Sequence, residues 1–411
     1  MPLIDDLIQN LCQQFYSFSK KDRVKIIKSK CLTYYFVPLI LTHQLKNEQL
    51  RILLKMSFLR FFLQYFKNFI CFVSILVLAP SFAVDIQSIK DAAKSSDIVL
   101  SKIEIQKIQE KSLTAALVWH GSSPWVSSVT QGAKAEFEKL GVNVVAVTDA
   151  QFDPAKQVAD LENVTALTPD IILSLSVDSV STKLSYEKAI SNGAQLVLLS
   201  NPIPGFQLGK DYVGIVTDDM FGMGKAAAEL LAESINNTGN VGMIFHDAKY
   251  FITNNRDHAF EESLAKFGNI QIRAKKGFVK EHETSGIAAA MVLQNPDLQA
   301  IYVSWDAAAE GVIESLRSVG RSDIKVITHD LGVNNLVDMA MDGNLYGTIS
   351  DRPYDIGKTM ARLGAGATLG LKASPFTVVP FDKVKKNNMK EIWAKAFKAK
   401  LPKMLDLALK Q

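Results

Sequence analysis

The sequence predicts an α/β protein built from two doubly wound lobes of parallel sheet. From Leu113 onward, short apolar runs of strand length alternate with helical stretches of roughly 10 to 18 residues, which is the pattern of parallel βα units. The alternation runs through two cycles of similar length, and the second begins near Val241. About 328 residues follow a candidate export signal, which is more than one hydrophobic core usually organises. Two lobes are therefore expected.

The first cycle alternates strand and helix signals regularly. Its first helix runs from about Trp125 to Leu140 and is stopped by Gly141. The next helix opens at Asp153-Pro154, where Asp is a good N-cap and Pro suits the first turn. A third helix ends near Ile190. The predicted strands are Thr114–Trp119, Val142–Val147, Ile171–Val177, Gln195–Leu199 and Tyr212–Val216.

The second cycle repeats this pattern and ends in a lysine-rich helical tail, expected to show a solvated face. The predicted strands are Val241–Phe245, Ile270–Phe278, Leu298–Ser304, Ile324–Thr328, Leu345–Ser350 and Thr377–Pro380. The predicted helices are Phe221–Ile235, Asn255–Phe267, Gly286–Leu293, Ala307–Ser318, Asn334–Met341 and Pro353–Leu369.

Residues 56–83 have the organisation of a secretory signal peptide. Arg60 and Lys67 precede an apolar run, Phe69–Ala79, and a small-residue pattern ends at Ala83. The alternative is an uncleaved membrane anchor, but the run is about a dozen residues long, against the roughly 20 that span a bilayer. We expect cleavage after Ala83 and a periplasmic product. Residues 1–55 are then an upstream mis-start or a disordered extension, and residues 84–112 form a lead-in helix and tether.

The proposed cut also divides the charge of the chain. Of 46 basic and 42 acidic residues, eleven bases and four acids precede it, so the remainder has 35 bases and 38 acids. The mature part therefore lacks the positive charge typical of nucleic-acid binding. All three cysteines also lie before the cut, so the exported part needs no disulfide.

Polar and aromatic residues follow the predicted strands, where ligands bind in doubly wound sheets. Carboxylates accept hydrogen bonds from hydroxyl groups, Asn and Arg donate them, and a Trp face packs on C–H surface. This combination favours a polyhydroxylated ligand. The candidate residues are Ser123, Trp125, Asn201, Asn254, Arg256, Trp305, Asp330 and Asp351.

Structural interpretations of the same residues stay open. Asp330, Asp306 and Asn254 could serve as helix caps, and Trp125 and Trp305 could be ordinary core aromatics. The sequence has no G-x-S-x-G elbow, no P-loop and no H-E-x-x-H motif, and its six histidines lack zinc-ligand spacing. We therefore expect no catalytic residue, no metal and no cofactor.

The order of elements over Leu113–Asn388 resembles the type I periplasmic binding proteins, the ribose-binding and related sugar-binding family of ABC importers. Order and spacing carry the resemblance rather than any single motif. The segments concerned are ALVWHGSSPWVSSVTQGAKAEFEKLG, DPAKQVADLENV, QNPDLQAIYVSWDAAAEGVIESLRSVGR, IKVITHDLGVNNLVDMAMDGNLYGTISDRPYDIG and VVPFDKVKKNN.

The resemblance implies a three-segment hinge between the lobes. The chain would cross near Val216–Asp219, Ser350–Asp351 and Pro380–Asp382. The N-lobe would then comprise residues 113–217 and 352–377, and the C-lobe residues 218–351 and 378–411.

The resemblance also implies roles for individual residues. Ser123 and Trp125 match a first-loop polar residue and a stacking aromatic, Asp330 a hydroxyl-binding aspartate, and Asp351 a polar hinge ligand. Trp305 replaces a polar ligand.

Two departures bear on specificity. The ribose-type Asp-Arg pair is Ser200-Asn201 here, and a ligand-binding arginine matches Asn254, with Arg256 two residues on. A less polar pentose, a deoxy sugar, a polyol or a furanose is therefore as plausible as ribose.

The resulting functional prediction is a monomeric periplasmic receptor that captures a small sugar or polyol and delivers it to the permease of an ABC importer, without catalysis or nucleic-acid binding. One alternative is a ligand-sensing partner of a histidine kinase with the same fold. A sugar-responsive repressor would need a DNA-binding headpiece and no export signal, and an enzyme would need a nucleophile–base pair.

Overall fold

The computed structural model describes residue 89 and residues 91–411. The predicted signal peptide and residues 1–55 lie outside the described residues. Within the described part, no helix is both long and apolar enough to cross a membrane.

Thirteen strands and twelve α-helices are found in the described part of the chain. In chain order, the strands are β1 (Ala93–Lys94), β2 (Thr114–Trp119), β3 (Asn143–Asp149), β4 (Ile171–Ser174), β5 (Gln195–Leu199), β6 (Gly214–Asp218), β7 (Gly239–His246), β8 (Ile270–Phe278), β9 (Leu298–Val303), β10 (Lys325–His329), β11 (Leu345–Ser350), β12 (Phe376–Val379) and β13 (Asp382–Val384). The helices are α1 (Lys102–Gln109), α2 (Pro124–Lys139), α3 (Pro154–Ala166), α4 (Lys183–Ser191), α5 (Met220–Ser234), α6 (Phe251–Leu264), α7 (Thr284–Gln294), α8 (Asp306–Ser318), α9 (Val333–Ala340), α10 (Pro353–Ala367), α11 (Met389–Phe397) and α12 (Lys403–Ala408).

The strands form two sheets, one in each lobe. The first sheet has the order β1-β12-β6-β5-β4-β2-β3 and is parallel throughout. The second has the order β13-β11-β10-β9-β7-β8, and β13 alone runs antiparallel to its neighbour. Apolar cores cover both faces of each sheet. The predicted class, two doubly wound lobes of parallel sheet, is confirmed.

Three chain segments cross between the lobes. The first leads from β6 to α5, the second from β11 to α10, and the third from β12 to β13. These crossings lie where the resemblance places the hinge segments. Because the carboxyl ends of β6 and β11 meet the crossings, side chains there can face both lobes.

Most predicted elements agree with the structure to within about two residues. Two differences have simple causes. The fifth strand starts at Gly214 rather than Tyr212, because Tyr212 closes a loop by bridging to Leu208. The segment predicted as a tether contains β1, which pairs with β12 and so extends the first sheet.

The lysine-rich tail is two helices rather than one. Lys398 adopts a left-handed conformation, with φ of 50°, and ends α11. The predicted solvated face is present, but the opposite face is apolar: Trp393 and Leu405 are buried in the second lobe.

Close helix packing fixes the first lobe against the second crossing. A Cβ at Gly357 of α10 would lie 1.8 Å from the carbonyl oxygen of Val129 in α2, and one at Gly132 would lie 2.0 Å from that of Tyr354. Only glycine allows such an approach of two helix backbones. This contact places the start of α10, which follows the second crossing, beside the middle of α2.

Candidate functional site

A buried guanidinium group lies at the centre of the candidate site. Arg256 of α6 has its Nη1 3.6 Å from Oδ2 of Asp218 and its Nη2 3.8 Å from Oδ2 of Asp330. Its Nη2 also donates a hydrogen bond to the carbonyl of Ser304, at 3.2 Å. Asp218 ends β6 in the first sheet, whereas Asp330 follows β10 in the second. The cluster therefore joins strand ends from both lobes.

A second carboxylate–aromatic contact lies at the second crossing. Trp125, in the first turn of α2, donates its indole N–H to Asp351, with distances of 2.9 and 3.1 Å to the two carboxylate oxygens. Asp351 is 2% exposed, and Trp125 is half-buried. The pair ties the first lobe to the hinge.

The lobes also meet at the start of α6. Asn201, after β5, accepts a hydrogen bond from the backbone N–H of Ile252, at 3.2 Å. Tyr250, Phe251 and Ile252 pack against the apolar core of the first lobe, and the ring of Phe251 lies 6.4 Å from that of Phe376. The N-terminal turn of α6 therefore contacts the opposite lobe, while its next turn carries Arg256.

A hydrogen-bond network supports the guanidinium from behind. Asp257 accepts hydrogen bonds from the hydroxyls of Ser304 and Tyr302 and from the backbone N–H of His246. The Tyr302 hydroxyl also lies 3.0 Å from Nε2 of His329. Because buried polar groups are normally hydrogen-bonded, this network fixes the positions of the side chains that lie behind the guanidinium.

Burial raises the pKa of the carboxyl groups in this region. It raises the pKa of Asp218 to about 7, although the positive charge of Arg256 acts in the opposite direction. The pKa of Asp330 is also raised by burial, and again Arg256 opposes the shift. Burial, together with the charges of Asp330 and Asp218, holds the pKa of Asp351 well above its usual range. The pKa of Asp306 is likewise raised well above its ordinary value by burial and by Asp330.

Four of the eight predicted residues lie in these contacts: Arg256, Asp330, Asp351 and Trp125. The alternative interpretation of Asp330 as the cap of the next helix is wrong, because Gly332 is the N-cap of α9. Asp330 instead has a φ of 69°, a left-handed conformation that aspartate tolerates better than most residues.

Asn201 lies at the contact between the lobes described above. The remaining three predicted residues make local contacts. Ser123 is exposed and caps α2 by accepting from the N–H of Val126. Asn254, in the first turn of α6, accepts from the N–H of the N-cap residue Tyr250 and donates to the carbonyl of His246. Trp305 donates to Glu281 at 2.6 Å.

Sequence reasoning missed Asp218 as a site residue. The signal was present as the dipeptide Asp218-Asp219 at the first predicted crossing. Asp219 caps α5 by accepting from the N–H of Gly222, whereas Asp218 faces Arg256. Asp306 was predicted as a possible helix cap, but it is the first residue of α8 and Trp305 is the N-cap. The Asp306 carboxylate accepts a hydrogen bond from the N–H of the next residue, Ala307.

The arrangement suits binding of hydroxyl groups. Carboxylates accept hydrogen bonds from them, a guanidinium donates, and an indole offers an apolar face. Among residues 89 and 91–411, no group of three His, Cys, Asp or Glu side chains could hold a metal ion.

Comparison with known proteins identifies a family to which the chain is similar. The family model described as periplasmic binding protein domain matches residues 115–372. The ribose import binding protein RbsB of Escherichia coli (strain K12) is 26% identical over 274 residues, which cover 65% of this chain and 88% of that protein. The predicted resemblance is confirmed.

Solved structures agree on the fold. A solute-binding protein of an ABC transporter from Agrobacterium vitis, bound with alpha-D-tagatopyranose, has a TM-score of 0.63 and 22% identity and covers 69% of this chain and 98% of its own. Another from Agrobacterium vitis, with bound allitol, has a TM-score of 0.60 and 19% identity, with the same coverage. These relatives are transport binding proteins rather than enzymes, and none of the three is described as a kinase partner, so the kinase alternative has no support.

Proposed function

Because the chain belongs to the periplasmic binding protein domain family, we propose that it captures a sugar or polyol between its lobes and delivers it to the permease of an ABC importer. The observation that carries the proposal is the Arg256 cluster, in which one guanidinium contacts carboxylates from both sheets. A ligand that bonds to these groups contacts both lobes at once, so it stabilises the state in which they meet.

The relatives support the ligand class. The relatives described above are a ribose import binding protein and two solute-binding proteins with bound tagatopyranose and allitol, so their ligands are a pentose, a ketose and a polyol. Carboxylates, a guanidinium and an indole are groups that suit all three kinds of molecule. We assign ligand contacts to Arg256, Asp330, Asp351, Trp125 and Asp218. Ser123, Asn201, Asn254 and Trp305 are proposed to border the site.

The family supports a periplasmic location, and the segment 56–83 supplies the export route. We propose cleavage after Ala83, a monomeric product, and lobes made of residues 113–217 with 352–377 and of residues 218–351 with 378–411. The proposed contact surface for the permease is the face shared by the two lobes when they meet, since closure is what the ligand controls.

The experiment is a ligand screen on the protein produced from Val84 onward. In thermal-shift measurements with pentoses, hexoses and polyols, we expect one chemical series to raise the melting temperature. The affinity of its members is then measured by calorimetric titration. No stabilisation by any carbohydrate or polyol would contradict the proposal.

A matched pair of variants locates the site. Asp330→Asn should weaken binding of the identified ligand by about 1.5–3 kcal/mol, because a hydrogen bond to a charged group is lost. Asp342→Asn is the control: it also has a left-handed backbone, with φ of 56°, but its side chain is exposed and pairs with Lys386. Equal affinity of both variants would remove Asp330 from the site.

A further inference from the structure

The site contains more carboxyl groups than cationic side chains. The charge of Asp330 raises the pKa values of Asp218, Asp306 and Asp351, and the charge of Asp218 also raises that of Asp351. In the described part of the chain, the ion pairs to these carboxylates come from a single cation, Arg256.

The two ion pairs of Arg256 are long. At 3.6 and 3.8 Å, they lie outside the 2.7–2.9 Å typical of charge-assisted hydrogen bonds. The histidines nearby do not add positive charge at neutral pH, because burial lowers the pKa of His246 to about 4 and that of His329 well below its ordinary value.

Asp351 is a buried carboxyl group without an ion pair in the described part of the chain. It is 2% exposed, and among the described residues no Lys, Arg or His forms an ion pair with it. Its donor is the neutral indole of Trp125, which reaches both carboxylate oxygens. Burial and the neighbouring carboxylates raise the pKa of Asp351, so a cation bound beside it would favour its ionised form.

Unpartnered buried atoms lie beside it. Oδ1 of Asp218 and Nε of Arg256 are buried, and neither atom has a hydrogen-bond partner within the part of the protein that the structure describes. Each of these two residues is only 4% exposed. Buried polar atoms in native proteins are normally paired, so a free carboxylate oxygen here points to a donor supplied by the ligand.

We propose that the solute is an amine-bearing sugar or polyol, whose ammonium group is bound by Asp351 and Asp218 while Asp330 and Arg256 bind its hydroxyls. This inference rests on the proposed function and names the substrate class of the same site. An ammonium has three donors and no acceptor, so it can bond to two carboxylates at once and offset their mutual repulsion.

A neutral sugar would satisfy this site less well. Its hydroxyls can bond to Asp351 and Asp218, but they bring no positive charge that would favour the ionised form of these groups, whose pKa values are raised. Charge therefore decides between ligands of nearly the same shape.

The experiment compares matched ligands by calorimetric titration at pH 7 and low ionic strength. The pairs are D-glucosamine with D-glucose, D-galactosamine with D-galactose, and glucamine with sorbitol, and the neutral N-acetylated forms of both amino sugars serve as further controls. D-Ribose, D-allose and allitol are included as neutral ligands. We expect at least one amine to bind about tenfold or more tightly than its neutral counterpart, as the added charged hydrogen bonds predict.

Two conservative variants test the residues. Asp351→Asn and Asp218→Asn keep size and shape but remove the charge, and each should reduce the ratio of amine to neutral affinity about tenfold. Affinity for the neutral member should change less. Asp342→Asn, at an exposed position, should leave the ratio unchanged.

The outcomes separate the two proposals. Binding of neutral sugars or polyols at least as tightly as their amines would overturn the amine inference while supporting the proposed function. Amine preference that persists in both variants would also overturn the assignment to Asp351 and Asp218. Absence of binding by amines and neutral carbohydrates alike would contradict both.

Discussion

At the scale of single residues, the site depends on one cation that two carboxylates share. Arg256 is 4% exposed, and so is Asp218, so neither charge is well solvated. Buried ion pairs contribute little net stability, but removing one partner is costly because the other charge is left uncompensated. We therefore expect the guanidinium to contribute to the stability of the fold as well as to the proposed ligand binding.

We expect Arg256→Met to destabilise the fold by about 3 kcal/mol, near the lower end for broken buried pairs, because these contacts are long. This loss of stability should be smaller at lower pH, since protonated Asp218 and Asp330 no longer repel each other. Urea unfolding at pH 5 and pH 7.5 measures both effects. The control Arg317→Met removes a largely exposed partner of Asp338 and should cost about 1 kcal/mol or less. Equal losses in the two variants would contradict a special role for Arg256.

The raised pKa of Asp218 predicts a pH dependence of stability. Its value of about 7 in the folded protein exceeds the roughly 3.9 of an unfolded chain, so the folded state binds the proton more tightly. This group's contribution to stability therefore falls as pH rises from about 4 to about 7. His120 and His246, with pKa values lowered to about 4, act in the opposite direction over the same range.

The difference between wild type and Asp218→Asn isolates that contribution, because the histidines are common to both. We expect the variant to gain stability relative to wild type as pH rises from 5 to 7.5, as measured by urea unfolding. A difference that is constant across this range would show that Asp218 has an ordinary pKa.

At the scale of elements, backbone approach between α2 and α10 sets the position of the second crossing. Alanine has a higher helix propensity than glycine by about 1 kcal/mol, so a Gly→Ala change in an open helix should stabilise it. At Gly357 the added Cβ would meet the Val129 carbonyl at 1.8 Å, and overpacking of this kind costs about 1–3 kcal/mol.

We expect Gly357→Ala to lower the free energy of unfolding by about 1–3 kcal/mol and to weaken ligand binding, because Asp351 and the start of α10 move with it. Gly286→Ala in α7 is the control, since its added Cβ has no neighbour within 4 Å. That variant should be neutral or more stable by up to about 1 kcal/mol. The reverse order of stabilities in urea unfolding would contradict the packing argument.

Elements were predictable to the extent that burial leaves a pattern in the sequence. Strands such as β4 and β5 are covered on both faces, so they are short apolar runs between turn residues. β1 has two residues and β13 has three. Each forms only by pairing with a strand that is distant in sequence, so no local sequence pattern predicts it.

The site was predictable in part for a similar reason. Strand-end positions follow from the fold, so Arg256, Asp330 and Asp351 were found as candidates. Which of two adjacent aspartates caps a helix and which enters the site depends on tertiary geometry, and Asp218 was missed for that reason. Ser123 and Asn254 have side chains suited to either role, and in the structure they bond locally.

At the scale of the whole molecule, the first turn of α6 links ligand binding to the contact between the lobes. Phe251 and Ile252 of the second lobe pack in the core of the first, and Asn201 bonds to the backbone of Ile252. Arg256 lies one turn further along the same helix. A ligand that holds Arg256 therefore also favours the seating of this turn in the opposite lobe, which couples occupancy to closure.

We expect Phe251→Ala to shift the protein toward separated lobes, because the variant loses apolar contact only in the state in which the lobes meet. Small-angle X-ray scattering with saturating ligand should give a larger radius of gyration than wild type, and ligand affinity should fall about tenfold or more, since the loss of a buried aromatic contact costs at least about 1.4 kcal/mol. Leu293→Ala, at an 83% exposed position on α7, is the matched control and should change neither quantity. If Phe251→Ala binds and closes like wild type, the seating of α6 is a consequence of closure and contributes nothing to it.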